Sequence, residues 1–214
     1  MKKFLLLISG VFFAFGANAQ VSKFEGASAN VALAYQSYSS TSVPVVSTSG
    51  SNLSALSSAS KGLVGKIGLD YTWRLSEKNF LAIGFDYAAN YSGNVQVSYV
   101  YQGAVLSTDQ SKIKQKVKVF IAPSRLINPD TLGYFKLGYA QYHGRHALTG
   151  TKPPSRAVTL GLGVKFMPSE NDYFFVEANM LSGRPTTYTS PFNGAVSTTK
   201  PKGSEILVGY GVKF

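Results

Sequence analysis

The chain has 214 residues, of which 44% are hydrophobic, with 14 Phe, 13 Tyr, 21 Gly, no cysteine and a formal net charge of +11. The lack of cysteine excludes a disulfide framework, a thiolate metal site and a thiol nucleophile. The length suits one domain or one β-barrel. A basic balance fits nucleic acid, anionic lipid or an acidic ligand as a partner.

The N-terminus has the organisation of a secretory signal. Two lysines precede an apolar stretch over 4–15, which is followed by Ala17-Asn18-Ala19. This order predicts export with cleavage after Ala19, whereas a membrane anchor needs about 20 apolar residues. We therefore predict a signal peptide over 1–19 and one mature domain over 20–214. Export argues against nucleic acid as the partner.

Eight segments of the predicted mature chain alternate between apolar and polar or small residues. Between Leu63 and Leu75 every odd position is apolar or glycine, and the even positions are mostly polar or small. This period of two predicts a β-strand with one apolar face. In chain order, the alternating segments cover 27–35, 63–75, 81–88, 116–121, 133–140, 158–166, 174–180 and 205–214.

Short and long connections alternate between these segments. The short ones cover 76–79, 128–131 and 168–172, and the long ones cover about 39–60, 92–115, 143–156 and 181–204. This alternation is typical of outer-membrane barrels, whose apolar face contacts lipid while the polar face lines the interior. We predict an all-β fold, an eight-stranded antiparallel transmembrane β-barrel with short periplasmic turns and long extracellular loops.

Aromatic residues crowd the predicted strand ends, where two girdles at the lipid–water interfaces are expected. Those on the turn side are Tyr71, Trp73, Phe80, Phe135, Phe166 and Phe174, and those on the loop side are Tyr35, Tyr87, Tyr91 and Tyr139.

The stretch from Val208 to Phe214 ends on Phe, with apolar residues at every second position before it. It resembles the C-terminal strand of outer-membrane barrels, and the mature chain as a whole resembles the small opacity-protein, OmpX and OmpA-barrel group. The resemblance implies that Tyr210, Val212 and Phe214 form an assembly signal. We also predict a monomer in the bacterial outer membrane, with membrane lipid, lipopolysaccharide and the assembly machinery as partners, and a protein or host-surface partner at the loops.

Deleting Phe214 is expected to lower the yield of protein in the outer membrane far more than deleting an equal stretch of 39–60. The physical reason is that the terminal apolar ladder would lose its aromatic end. The measurement is the amount of folded protein in isolated outer membranes. Equal yields for the two deletions would contradict the assembly signal.

Charged residues recur on the face predicted to line the interior. Unpaired charges away from water are costly, so we expect salt-bridged chains, including Lys165 paired with Glu177 directly or through one neighbour. A narrow anion-preferring pore is the alternative, but eight strands leave little bore, which favours a polar core. The predicted lumenal charges are Lys66, Asp70, Arg74, Asp86, Lys116, Lys118, Lys136, Lys165, Glu177, Glu205 and Lys213.

Nothing in the sequence points to catalysis. Some small barrels are lipid A deacylases or palmitoyltransferases, and acyl chemistry needs a nucleophile beside an oriented base. The only histidines are His143 and His146, and neither has the serine two residues later that the deacylase resemblance would require. One His-x-x-His without nearby carboxylates is also a poor metal site. We predict no catalytic residue, no metal and no cofactor.

The long loops remain as candidates for function. The segment 39–60 holds 10 Ser and 2 Thr among its 22 residues and no charge, so we expect it to be mobile. Apolar or aromatic residues stand at every second position in Val95, Val97, Tyr99 and Tyr101, which predicts a hairpin that projects above the membrane. Its exposed edge would be a template to which a partner adds a strand. Basic loop residues are either lipopolysaccharide-phosphate contacts or solvated charge: Arg145, Lys152, Arg156, Arg184, Lys200 and Lys202.

These features favour a non-enzymatic outer-membrane protein that acts in surface interaction or envelope integrity through its loops. The alternative is a small porin-like channel for ions or small solutes. A lipid-modifying enzyme is the third hypothesis, and it lacks a catalytic cluster in the sequence.

Overall fold

The computed structural model describes the backbone of residues 23–42, 45–46, 52–57, 60–90, 94–101, 104–146, 150–151, 155–189 and 196–214. It describes the side chains of residues 23–39, 61–90, 117–142, 155–185, 200 and 202–214. The predicted signal peptide over 1–19 lies outside the described residues. Across the described part of the chain, no helix is long and apolar enough to cross a bilayer.

Eight long antiparallel strands close into a barrel. They are β1 (Gly26–Ser42), β2 (Ser60–Arg74), β3 (Asn79–Ala88), β4 (Ala104–Asn128), β5 (Thr131–His146), β6 (Ser155–Phe166), β7 (Asp172–Gly183) and β8 (Val196–Lys213). Each strand pairs with the next along the chain, and β1 also pairs with β8, from Ser28 opposite Lys213 to Ser42 opposite Thr199. The predicted eight-stranded antiparallel fold is thereby confirmed.

The alternating sequence pattern sorts side chains between the two faces of the wall. On β2, Ile67 is 51% exposed while its neighbour Lys66 is 3% exposed. A contiguous apolar surface of this size is unfavourable in water and fits a lipid-facing belt. Members of the belt include Val31, Leu33, Leu63, Leu69, Ile83, Phe85, Val119, Ile121, Leu137, Leu160, Leu162, Val176, Ile206 and Val208.

Phe80 is the exception among the predicted girdle aromatics. It is 1% exposed and packs edge-on against Phe24, with ring centroids 6.1 Å apart. The girdle prediction was wrong here because even-numbered positions of β3 face the interior. Other turn-side members, such as Trp73, Phe166 and Phe174, are exposed on the outer face. Tyr91 lies outside the described residues.

Short strands extend the wall above the apolar belt. Asn94–Tyr101 pairs with the first part of β4, from Asn94 opposite Lys112 to Tyr101 opposite Ala104, which confirms the predicted hairpin. Asn52–Ser57 pairs with the other edge of Asn94–Tyr101, through Ser54 opposite Val100. That edge is therefore occupied along these residues, contrary to the expected strand-addition template, and the segment 39–60 contributes strands rather than only irregular chain.

Candidate functional site in the barrel interior and at its rim

An apolar plug closes the interior at the turn end. We define this turn-side plug as Phe24, Phe80, Leu132 and Met167, all of them buried. Three of the four lie next to the turns, whereas Phe24 precedes β1 and is brought across the mouth by the N-terminal segment. An ion pair between Lys23 Nζ and Asp130 Oδ1, at 2.6 Å, tethers that segment to the turn between β4 and β5.

A central charge cluster lies above the turn-side plug. Its shortest ion pairs join Lys66 to Glu205 at 2.5 Å, Lys118 to Asp86 at 2.8 Å and Lys136 to Glu177 at 2.5 Å. Lys118, which is 0% exposed, also lies 3.7 Å from Glu177 and 3.8 Å from Glu205. It is therefore the centre of the cluster. The six residues come from β2, β3, β4, β5, β7 and β8, so the cluster connects most of the wall.

Neutral polar side chains complete the hydrogen bonding of the buried carboxylates. Gln36 Nε2 donates to Glu205 at 2.7 Å, and Tyr134 Oη donates to Glu177 at 2.9 Å. Asn179 Nδ2 donates to both carboxylates, at 2.7 Å to Glu177 and 2.8 Å to Glu205. Sequence reasoning did not single out Gln36, Tyr134 or Asn179. All three lie at sequence positions predicted to face the interior. Because they are uncharged, that position alone did not distinguish them from other polar residues.

Lys165 belongs to a separate ion pair. Its Nζ lies 3.7 Å from Asp70 Oδ1 and 4.2 Å from the centre of the Tyr173 ring. The β6–β7 register sets Lys165 opposite Phe175 and Glu177 opposite Gly163. Lys165 is therefore displaced from Glu177 by two residues along the paired strands, and the expected direct pair is not formed among the described side chains. The expected bridge through one neighbour is not seen among them either, because the contacts of Lys165 (Asp70, Tyr173) and those of Glu177 (Lys118, Lys136, Tyr134, Asn179) share no residue.

Two predicted lumenal cations lie at the turn-side mouth instead. Arg74 is exposed, and its Nε donates to the carbonyl of Ser76 at 3.3 Å. Lys213 is half-buried at the end of β8. Both follow the inward parity, but each is the last residue of its strand, where the wall meets water. The side chain of Lys116 lies outside the described residues.

A layer of tyrosines covers the central charge cluster on its loop side. Tyr38 and Tyr142 are buried, with ring centroids 5.8 Å apart, and pack with Leu181 and two alanines. Between the turn-side plug and this layer remains a cavity of about 50 Å³, lined by residues that include Asp70, Lys136 and Lys165. A cavity of that size holds a few waters at most.

Five exposed cations follow the loop-side rim of the wall. We call them the cationic rim: Lys61 on β2, Arg156 on β6, Arg184 just after β7, and Lys200 and Lys202 on β8. Lys61 was missed by sequence reasoning, although its outward parity and position at the start of β2 could have indicated it. The side chains of Arg145 and Lys152, predicted for the same role, lie outside the described residues.

Comparisons with known proteins agree on the architecture. No protein-family profile matches the sequence, and a search of curated proteins finds no significant match. The Neisserial surface protein A superposes with a TM-score of 0.50 at 15% identity, covering 89% of this chain and 100% of that one. OprG from Pseudomonas aeruginosa gives 0.51 at 14%, covering 91% and 99%. The chain has the fold of the small outer-membrane β-barrels.

With its lipid-facing belt, this barrel is an integral protein of the bacterial outer membrane. The outer-membrane protease OmpT from Escherichia coli also matches, with a TM-score of 0.47 at 9% identity over 92% of this chain and 99% of that one. A similarity of that size carries no information on activity.

The net charge of this outer-membrane barrel lies at one end. Four interior lysines (66, 118, 136 and 165) balance four interior carboxylates (70, 86, 177 and 205). Five cations near the turn end (23, 74, 78, 125 and 213) balance five acids (25, 77, 130, 170 and 172). By place in the chain, the loop end has ten cations (61, 112, 114, 116, 145, 152, 156, 184, 200 and 202) and one acid, Asp109. The loop end therefore carries the whole charge of +9 expected for 20–214.

Proposed function

We propose that this protein is a non-enzymatic, non-conducting outer-membrane scaffold that acts in surface interaction and envelope integrity. The barrel holds the loop-side strands and the cationic rim at the cell surface. The observation that carries the proposal is the filled interior, which runs from the turn-side plug through the central charge cluster to the tyrosine layer.

The filled interior supports a scaffold because a channel needs a continuous water path. Lys118 is 0% exposed and Glu177 is 1% exposed, and the cavity beside the central charge cluster holds a few waters at most, so the described side chains leave little room for a continuous water path. A permeating ion would have to separate short buried ion pairs with only a few waters to hydrate it, whereas selective pores replace the hydration shell with lining groups. The small porin-like channel therefore becomes the alternative outcome of a conductance test.

The proposed lack of enzymatic activity is supported by the sequence alone. Acyl transfer and hydrolysis use a nucleophile activated by a neighbouring base. The chain has no cysteine, and its two histidines stand in His143-Gly144-Arg145-His146, without the serine spacing of the deacylase resemblance.

In planar lipid bilayers, the refolded wild-type protein is expected to give no discrete conductance steps, because buried side chains fill the lumen. Folded protein is identified beforehand by its heat-modifiable migration in detergent gels, and detergent without protein is the control. Reproducible steps from the folded band would contradict the proposal. Steps that grow in the Glu177→Gln variant would establish the channel alternative.

A further inference from the structure

The cationic rim begins at the depth of the lipid head groups. On β6 and β2 the last exposed apolar residues are Val158 and Leu63, and Arg156 and Lys61 lie two residues farther toward the loop end. Two residues along a strand correspond to about 7 Å before tilt, and the polar layer on each side of a bilayer is about 5–8 Å thick. Arg156 and Lys61 therefore lie beside head groups, and Arg184 lies level with Arg156, because its N–H donates to the Arg156 carbonyl. Lys202 and Lys200 extend the rim outward, four and six residues beyond Ile206 on β8.

The arginines of the rim face each other across two strands. The backbone N–H of Arg184 donates to the carbonyl of Arg156 at 2.9 Å, and the next residues, Ala157 and Gly183, are register partners. On the other side of β7, Lys202 is opposite Ser182, which precedes Arg184 by two residues and lies on the same outer face. Like charges on opposing strand positions are destabilising. An anion between the two guanidinium groups would remove that repulsion.

No acidic residue with a described side chain lies near the rim to neutralise it. Described carboxylates are in the interior or near the turn end, where each group of acids is matched by an equal number of cations. Asp109 is the one acid at the loop end by place in the chain, its side chain is outside the described residues, and it could offset only one of the ten cations there. Most of the counter-charge therefore has to come from outside the chain. Arginine pairs with phosphate through two parallel hydrogen bonds, whereas lysine acts as a point charge. A rim with both types, at head-group depth, fits a lipid that carries more than one phosphate.

We propose that the cationic rim binds the phosphate groups of the outer-leaflet glycolipid, the lipid A part of lipopolysaccharide, with Arg156 and Arg184 forming the central phosphate site. The proposal rests on the proposed function only for the orientation of the loop end toward the cell surface. It names the partner through which that scaffold would contribute to envelope integrity.

The test is binding of purified, folded protein in neutral detergent to three probes: bisphosphorylated lipid A, fully dephosphorylated lipid A with the same acyl chains, and inorganic phosphate. Bound lipid is counted by native mass spectrometry. The variant is Arg156→Gln with Arg184→Gln. The matched control is Lys78→Gln with Arg125→Gln, which removes two exposed cations from the turn end.

We expect wild type and control to bind bisphosphorylated lipid A at least about tenfold more tightly than the dephosphorylated lipid, as a charge-assisted contact would give. The Arg156→Gln/Arg184→Gln variant is expected to lose that preference. Binding should weaken as ionic strength rises. If this variant does not fold, as judged by heat-modifiable migration, Lys61→Gln with Lys202→Gln replaces it with the same expected direction.

Equal binding of the two lipids by the wild type would overturn the proposal, as would an unchanged preference in the folded rim variants. Displacement of the lipid by inorganic phosphate at equal concentration would show a site for free phosphate rather than for lipid, and would also overturn it. None of these outcomes alters the conductance result. Failure of the lipid site is therefore distinguishable from failure of the non-conducting scaffold.

Discussion

Replacing Glu177 with Gln is expected to lower the free energy of unfolding by about 3–5 kcal/mol, the cost of breaking a buried ion pair by removing one partner. Glu177 is 1% exposed. It forms an ion pair with Lys136 at 2.5 Å and accepts a hydrogen bond from Tyr134 Oη at 2.9 Å. Without its charge, Lys136 and the fully buried Lys118 remain as cations with too few carboxylates. Lys118 is 0% exposed, so water compensates little for the lost carboxylate charge there.

The matched control is Asp130→Asn, which neutralises one partner of the Lys23–Asp130 pair at the turn end. Those side chains are 24% and 54% exposed, and exposed pairs contribute about 0–1 kcal/mol. Urea unfolding in detergent micelles, followed by the fluorescence of the only tryptophan, Trp73, compares the two variants. Equal midpoints for Glu177→Gln and wild type would show that the central charge cluster does not stabilise the barrel.

Replacing Gly84 with Ala is expected to destabilise the barrel by about 2–3 kcal/mol, at the upper end for overpacking. A Cβ at Gly84 would lie 2.5 Å from the carbonyl oxygen of Leu69, 2.7 Å from Asp70 Cβ and 2.6 Å from Phe120 Cζ. The first of these is backbone of the paired strand, since Asp70 is the register partner of Gly84. Making space therefore requires the β2–β3 ladder to separate.

Gly65→Ala provides the control in the neighbouring strand. A Cβ there would have Asn90 Oδ1 as its nearest atom, at 3.8 Å, which is an ordinary contact. The stability should change by less than about 0.5 kcal/mol. Both variants are compared by the folded fraction in gels and by urea midpoints. A Gly84→Ala variant as stable as Gly65→Ala would mean that the two strands can move apart at little cost.

The side of the wall on which each residue lies could be predicted from the sequence. Lys66, Asp86 and Lys118 occupy inward positions as the alternation indicated, because the pleat of a strand is a local property with a period of two. The same rule would have identified Gln36 and Asn179, but it cannot rank neutral polar residues against charged ones. It also cannot tell whether an inward residue near a strand end, such as Arg74, is buried or in water.

Sequence alone determined the strand number, the apolar belt and the concentration of positive charge at the loop end, because these depend on local alternation and chain order. Only the tertiary structure decided which charges meet. Glu205 contacts Lys66, 139 residues earlier in the chain, whereas Lys165 contacts Asp70 rather than Glu177 on the adjacent strand. The relative heights of such residues depend on the stagger that accumulates over every strand pair until the barrel closes. That stagger belongs to the closed sheet and to no single segment of the chain.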